Sequence, residues 1–240
     1  MDEKEFYDRM AVEHGESWWG HTTFAGRFRL KEKAKKVHAI IDGYDRPRVL
    51  ELGCGTGPYT EFLYRKGMDL TCVDVSPDSI KVFAERFKDK GIHSEVQDIT
   101  RLSYPDGSFD LVIGNSILHH VDAQQALMEA FRVLRRGGQI LFFEPNTLNP
   151  YIFLTRHFSF FGDLDQKSPG EVSFLKGEAE RMMIGAGFTD VSVVNYDFVT
   201  PFNPRALIGF AKAVSNIMER LPLVKEFSGS LSMSGIKTHG

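Results

Sequence analysis

Three groups of residues in this chain have types and spacings that could do chemistry. The run V-L-E-L-G-C-G-T-G at 49 to 57 sets Gly53, Gly55 and Gly57 two apart behind Glu51, with Cys54 between the first two. Missing Cβ atoms allow left-handed backbone and close approach of a ligand to the main chain. Asp74 stands 21 positions after Gly53, and a carboxylate, which only accepts, can take both hydroxyl hydrogens of a ribose. A ribose-bearing ligand is therefore the leading expectation, although the glycines taken alone would also suit a plain tight turn. Further along, N-S-I-L-H-H-V-D at 115 to 122 offers His119 and His120, whose side chains titrate near neutrality and suit general-base work. One of the two could instead pack beneath the helix that follows. Glu144 is an outside candidate for the same work. Adjacent histidines on a short turn diverge, so no metal site is expected from His119, His120 and Glu144.

These residues need a scaffold, and the periodicity supplies one. From Arg48 to Asp98 short apolar runs alternate with helical stripes, the mark of β-α-β-α-β wound on a buried parallel sheet. Strands are expected at 48 to 53, 69 to 76, 92 to 98, 109 to 115, 139 to 145 and 191 to 198, with a last one within G-S-L-S-M-S-G-I-K-T. Ser76 with Pro77 marks one helix start and Asp122 another. Gly137 and Gly138 are expected to stop the second of these helices. Ile80, Phe83, Ala84 and Phe87 form one apolar stripe, and Leu30, Ala34, Val37 and Ile41 another. The expectation is a doubly wound, seven-stranded, mostly parallel α/β sheet with an N-terminal helical cap over residues 1–45. Ligands in such sheets bind beyond the carboxyl ends of the strands. Glu51 to Gly57, Asp74, Asp98, Asn115 to His120 and Glu144 to Asn146 all fall there.

The dinucleotide fingerprint requires glycine or alanine where this chain has Pro58. The G-x-G-x-G spacing instead resembles that of the class I S-adenosylmethionine-dependent methyltransferases, whose loop reads E/D-x-G-x-G-x-G. The resemblance covers roughly Pro47 to Phe198. It implies a Rossmann-like methyltransferase fold over 46–240 and S-adenosyl-L-methionine as cofactor. By that resemblance Gly53, Cys54, Gly55 and Gly57 shape the pocket for the methionine part, and Glu51 holds its amino end. Asp74 binds the ribose, Val75 and Ser76 flank the adenine, and Asp98 with Ile99 meets the adenine amino group. Asn115 and Ser116 line the floor near the sulfonium. A solvated loop acid remains open for Asp98, and a strand-end cap for Asn115.

The flanking segments bear on the acceptor. Tyr7, Trp18 and Trp19 precede the first strand, and Tyr151 and Phe158 belong to an aromatic run after the fifth. They are read as acceptor-contacting residues in a lid and in insertions at 151–175 and 200–227, with an ordinary packing role as the alternative for the N-terminal segment. The run Arg27, Arg29, Lys31, Lys33, Lys35 and Lys36 reads as a solvated face, with an anionic substrate or a membrane surface as alternatives. The stripe Leu207, Phe210, Ala211, Val214, Ile217, Met218 and Leu221 is read first as a helix covering the sheet, with a surface for an apolar or amphipathic acceptor and a dimer interface as the alternatives.

Composition narrows the classes. Lysine and arginine total 29 against 32 acids, a net charge of −3, so no global positive field gathers nucleic acid. The tripeptide Asn149-Pro150-Tyr151 stands after the fifth strand, not after the fourth as in amino-group methyltransferases of nucleic acid. Two cysteines, Cys54 and Cys72, suit a reducing compartment. The acidic opening M-D-E-K-E-F-Y-D-R-M does not resemble a secretory signal. A cytoplasmic enzyme methylating a small, partly apolar acceptor is expected. A nicotinamide-dependent oxidoreductase and a non-catalytic cofactor-binding protein are the alternatives.

Overall fold

The computed structural model describes residues 21–157 and 173–239. The apolar runs form β1 (Arg48–Leu52), β2 (Asp69–Asp74), β3 (His93–Val96), β4 (Phe109–Asn115), β5 (Leu134–Pro145), β6 (Thr189–Tyr196) and β7 (Ser230–Ile236). They make one sheet in the order β3-β2-β1-β4-β5-β7-β6. β1 to β5 pair in parallel, whereas β7 runs antiparallel to both β5 and β6. The strand order reverses between β1 and β4, which opens a crevice at their carboxyl ends.

Alternation along the central strands sends side chains into two cores. Leu111 and Ile113 of β4 and Leu141 and Phe143 of β5 face one layer. Val112, Ile140 and Phe142 face the other. The first layer is covered by α1 (Phe24–Ile41), the short α2 (Thr60–Leu63) and α3 (Pro77–Phe87). Leu30, Ala34, Val37 and Ile41 of α1 are buried there, as their spacing requires. In α3, Ile80, Phe83 and Phe87 are buried but Ala84 is exposed. The second layer is covered by α4 (Ala123–Val133) and α6 (Lys176–Gly185). The helix starts follow the sequence. Ser76 Oγ accepts from Ser79 N at 3.1 Å, and Asp122 Oδ1 accepts from Gln125 N at 3.0 Å.

Two expectations fail. Gly137 and Gly138 do not end α4; the helix stops at Val133 and β5 starts at Leu134. The glycines lie in an irregularity where the register against β4 jumps from Phe109↔Leu134 to Leu111↔Gln139. Gly137 has φ +78, and a Cβ on Gly138 would come within 2.8 Å of the Arg135 carbonyl oxygen. The stripe of α7 (Ile208–Met218) does not cover the sheet: its one buried residue is Ser215, and α7 contributes to neither core. A further helix, α5 (Pro150–His157), follows β5. Among the described residues no helix is long and apolar enough to cross a membrane.

Candidate functional site

The glycine loop leaves β1 and is pinned to β2, with Gly53 N and Cys54 N donating to the Val73 carbonyl at 2.8 and 3.1 Å. All three loop glycines have left-handed backbone, at φ +69, +53 and +88, a region costly to residues with a Cβ. Their surroundings differ. A Cβ on Gly53 would lie 2.5 Å from the Ile117 side chain, and one on Gly57 only 2.2 Å from Phe87. A Cβ on Gly55 would meet nothing within 4 Å. Gly53 and Gly57 are therefore required by packing, while Gly55 borders open space.

Asp74 joins the loop to the neighbouring strand. Its Oδ2 accepts from Gly55 N at 2.8 Å and its Oδ1 from Ser76 N at 3.0 Å. Val75 beside it is 39% exposed, unusual for valine at the end of an inner strand. Ser76 is fully buried and serves as the cap of α3. Glu51 sits beneath the loop, where Oε2 accepts from Thr60 Oγ1 at 2.8 Å and from Cys72 Sγ at 3.4 Å. Both bonds fall on one oxygen. Burial pushes its carboxyl up to about 7. Burial likewise pushes the Cys54 thiol up to about 11, so it is a packing group and not a nucleophile at neutral pH.

At the next strand ends, Asp98 is exposed and its Oδ1 accepts from Thr100 N and Oγ1 at 2.8 and 2.7 Å, closing a local turn. Ile99 is buried behind it. The chain leaves β4 through Ser116, held at φ +57 with its N–H on the Phe143 carbonyl at 2.7 Å. Asn115 Oδ1 accepts from Lys33 Nζ at 2.6 Å.

Lys33 was not visible in the sequence as a site residue, because it stands in a run of charges that reads as solvated. The structure corrects that reading for two members of the run. Lys33 is 6% exposed, and burial, then the neighbouring Arg29, push its amine down to about 7. Arg29 is engaged by Asp197 Oδ2 at 2.6 Å and reaches Ser230 Oγ at 3.4 Å. The signal was positional: three residues after Leu30 and one before Ala34, position 33 falls on the buried face.

The two histidines separate. His119 is buried and its Nδ1 lies 2.6 Å from Glu144 Oε2. Glu144 Oε1 accepts from the Ile117 and Leu118 N–H groups at 3.0 and 2.9 Å. Burial alone would raise the Glu144 carboxyl, but His119 and these N–H groups hold it below its ordinary value. An ionised carboxylate only accepts, so His119 Nδ1 carries the proton of that bond. His120 is half-buried, its ring centroid 3.9 Å from that of His119. Tyr151 is exposed at the start of α5, its ring 6.2 Å from that of Phe202. Tyr7, Trp18, Trp19 and Phe158 lie outside the described residues.

Residues 50–142, which include the carboxyl ends of β1 to β4, match a protein-family model described as a methyltransferase domain. Malonyl-[acyl-carrier protein] O-methyltransferase of Paenibacillus sp. (strain JDR-2) is 32% identical over 141 residues, 53% of this chain and 50% of that protein. Chloroplastic 2-methyl-6-phytyl-1,4-hydroquinone methyltransferase 1 of Oryza sativa subsp. japonica is 30% identical over 178 residues, 72% of this chain and 49% of that protein. The chain spans about half the length of these two curated relatives. Among solved structures, a possible histamine N-methyltransferase from Thermotoga maritima has the same fold, with TM-score 0.68 and 20% identity over 97% of this chain and 99% of that one. The glycine loop, the acid on β2, the strand order and the matched segment all agree with a class I S-adenosylmethionine-dependent methyltransferase.

Proposed function

We propose that this chain moves a methyl group from S-adenosylmethionine to a small, partly apolar acceptor in the cytoplasm. The observation that carries the reading is the junction of Gly55 and Asp74: an open backbone position whose N–H is fixed by a strand-end carboxylate. Each carboxylate oxygen has a second lone pair, so Asp74 can take ribose hydroxyls without releasing the loop. Gly53, Cys54, Gly55 and Gly57 line the methionine part, and Glu51 receives its amino end through Oε1, the oxygen without a hydrogen bond. Val75 offers an apolar surface to the adenine beside Ser76, and Asp98, next to Ile99, accepts from its amino group. Asn115 and Ser116 floor the reacting end.

When bound, the cofactor supplies an electrophilic methyl on positive sulfur. The protein has to hold the acceptor in line, keep water out and take a proton where the acceptor loses one. His119 and His120 are the histidines proposed for that proton, and Glu144 fixes the His119 proton on Nδ1. Tyr7, Trp18, Trp19, Tyr151 and Phe158 are the acceptor-facing aromatics in this reading. The phytyl hydroquinone in one relative's name agrees with a partly apolar acceptor.

Calorimetric titration with S-adenosylmethionine and with NAD tests the reading. Saturable binding of the first and none of the second is expected; the reverse preference would make the chain a nicotinamide-binding protein.

A further inference from the structure

The face formed by α7 and the loops on either side of it is apolar where it meets solvent. Phe202, Phe210, Ile217 and Leu223 are 73%, 71%, 62% and 81% exposed. Phe210 and Ile217 are seven apart in α7, hence on one side of the helix. The Tyr151 ring extends the surface to α5 through its edge contact with Phe202. Scattered surface leucines need no explanation, but so many largely exposed aromatic and aliphatic side chains on one short segment mark an interaction site.

Charge says what the partner is. Residues 202–227 carry Arg205, Lys212, Arg220 and Lys225 against Glu219 and Glu226, a net excess of positive charge in a chain whose total is −3. Both acids are turned to internal work. Glu219 Oε1 accepts from Asp197 N at 3.0 Å and Ser215 Oγ at 2.7 Å, and Glu226 Oε2 accepts from Asn195 Nδ2 at 2.6 Å. The cations are not matched in the same way: Arg205 lies over the Phe24 ring at 5.0 Å, and Arg220 is exposed. Beside α7, a cavity of about 270 Å³ is lined by Lys212 together with Arg29, Lys35 and Lys36 of α1, and holds only Glu32 and Asp197 as acids.

We propose that this face docks on an anionic lipid surface, with Phe202, Phe210, Ile217 and Leu223 entering the headgroup and acyl boundary and the cations engaging lipid phosphates. Apolar side chains flanked by lysine and arginine are the make-up of helices that lie in a membrane interface. The cation stems can run along the apolar layer while their heads stay at phosphate depth. A second copy of the chain fits less well. A two-fold contact brings each patch against itself, so the cations would face cations. The inference stands on exposure and charge and is independent of what the strand ends bind.

Co-sedimentation of the full chain with phosphatidylcholine vesicles, with and without phosphatidylglycerol, tests it. Binding to the anionic vesicles that weakens as salt rises is expected. Replacing Phe202, Phe210 and Leu223 together by serine is expected to weaken it by more than about tenfold, since all three leave the acyl boundary. Replacing Arg205, Arg220 and Lys225 by glutamine should remove the preference for phosphatidylglycerol, at about fivefold per charge. These residues are exposed or half-exposed, and unchanged thermal melting of each variant shows that the fold is kept. No sedimentation with either vesicle at low salt, or equal binding by the serine variant, overturns the proposal. A wild-type dimer that the serine changes dissolve, without vesicle binding, also overturns it and gives the face to a second copy.

Discussion

Replacing Glu144 by alanine should be among the most damaging single changes available in this chain. The carboxylate receives three donors, the N–H groups of Ile117 and Leu118 at 3.0 and 2.9 Å and His119 Nδ1 at 2.6 Å. Glu144 is 1% and His119 4% exposed, so water cannot replace the lost acceptor without entering the core. A buried donor left without an acceptor costs about 1–3 kcal/mol. Three of them come to roughly 3–9 kcal/mol, comparable with the whole stability of a domain, about 5–15 kcal/mol. Glutamine keeps the shape and one carbonyl oxygen but turns an NH₂ group toward a donor, so Glu144→Gln should fall between alanine and wild type. Urea unfolding reads the order directly, as midpoints that fall from wild type to Gln to Ala. An alanine variant within about 1 kcal/mol of wild type would refute the reasoning. The pH dependence has a fixed sign. Because the native carboxyl titrates below its unfolded value, its contribution is complete above the ordinary carboxylate range and is lost as pH falls through the native value. The glutamine variant should lose less stability than wild type over that acid window.

Three further outcomes follow from the same structure. Asp74→Ala removes the partner of Gly55 N and the proposed acceptor of both ribose hydroxyls. At about 1.5–3 kcal/mol for each charge-assisted bond lost, S-adenosylmethionine affinity should drop at least about a hundredfold by calorimetry, and unchanged affinity would take Asp74 out of the site. Gly57→Ala, with its Cβ 2.2 Å from Phe87, should cost about 2–4 kcal/mol in thermal or urea unfolding. Gly55→Ala should cost about 1–2 kcal/mol and act chiefly on cofactor affinity, because its methyl enters open space; equal stability losses for the two would contradict the division. Lys33 is pushed down to about 7, so the native state gives up its proton before the unfolded chain does. Wild type should therefore gain stability relative to Lys33→Met as pH rises from about 7 toward the ordinary lysine value, about 10.4. Parallel melting curves over that range would show a charged Lys33.

Much of the scaffold was legible because it rests on local rules. The α1 stripe, the Ser76 and Asp122 caps and the apolar strands each follow from a few neighbouring residues. The row of polar strand ends was legible for the same reason, since parallel β-α units carry their connecting loops to one edge. What failed depends on distant partners. Gly137 and Gly138 look like a helix stop, and their bulge is defined by pairing with β4 and β7. Nothing near Lys33 in the chain announces Asn115, 82 residues away, so in the sequence a buried amine looks like part of a solvated face. His119 and His120 are alike in sequence, and only Glu144 tells them apart. The stripe of α7 satisfies the helical period without being buried, because periodicity reports an apolar side and not what covers it.

The central claim is that the loop after β1 and the acid ending β2 together hold the cofactor. Diffraction from crystals soaked with S-adenosylhomocysteine tests it most directly. The ribose hydroxyls should lie on Asp74, with the amino-acid end running along Gly53 and Gly55 toward Asn115. Ordered ligand in any other part of the molecule, or a crevice that stays free of ligand at saturating concentration, would contradict it.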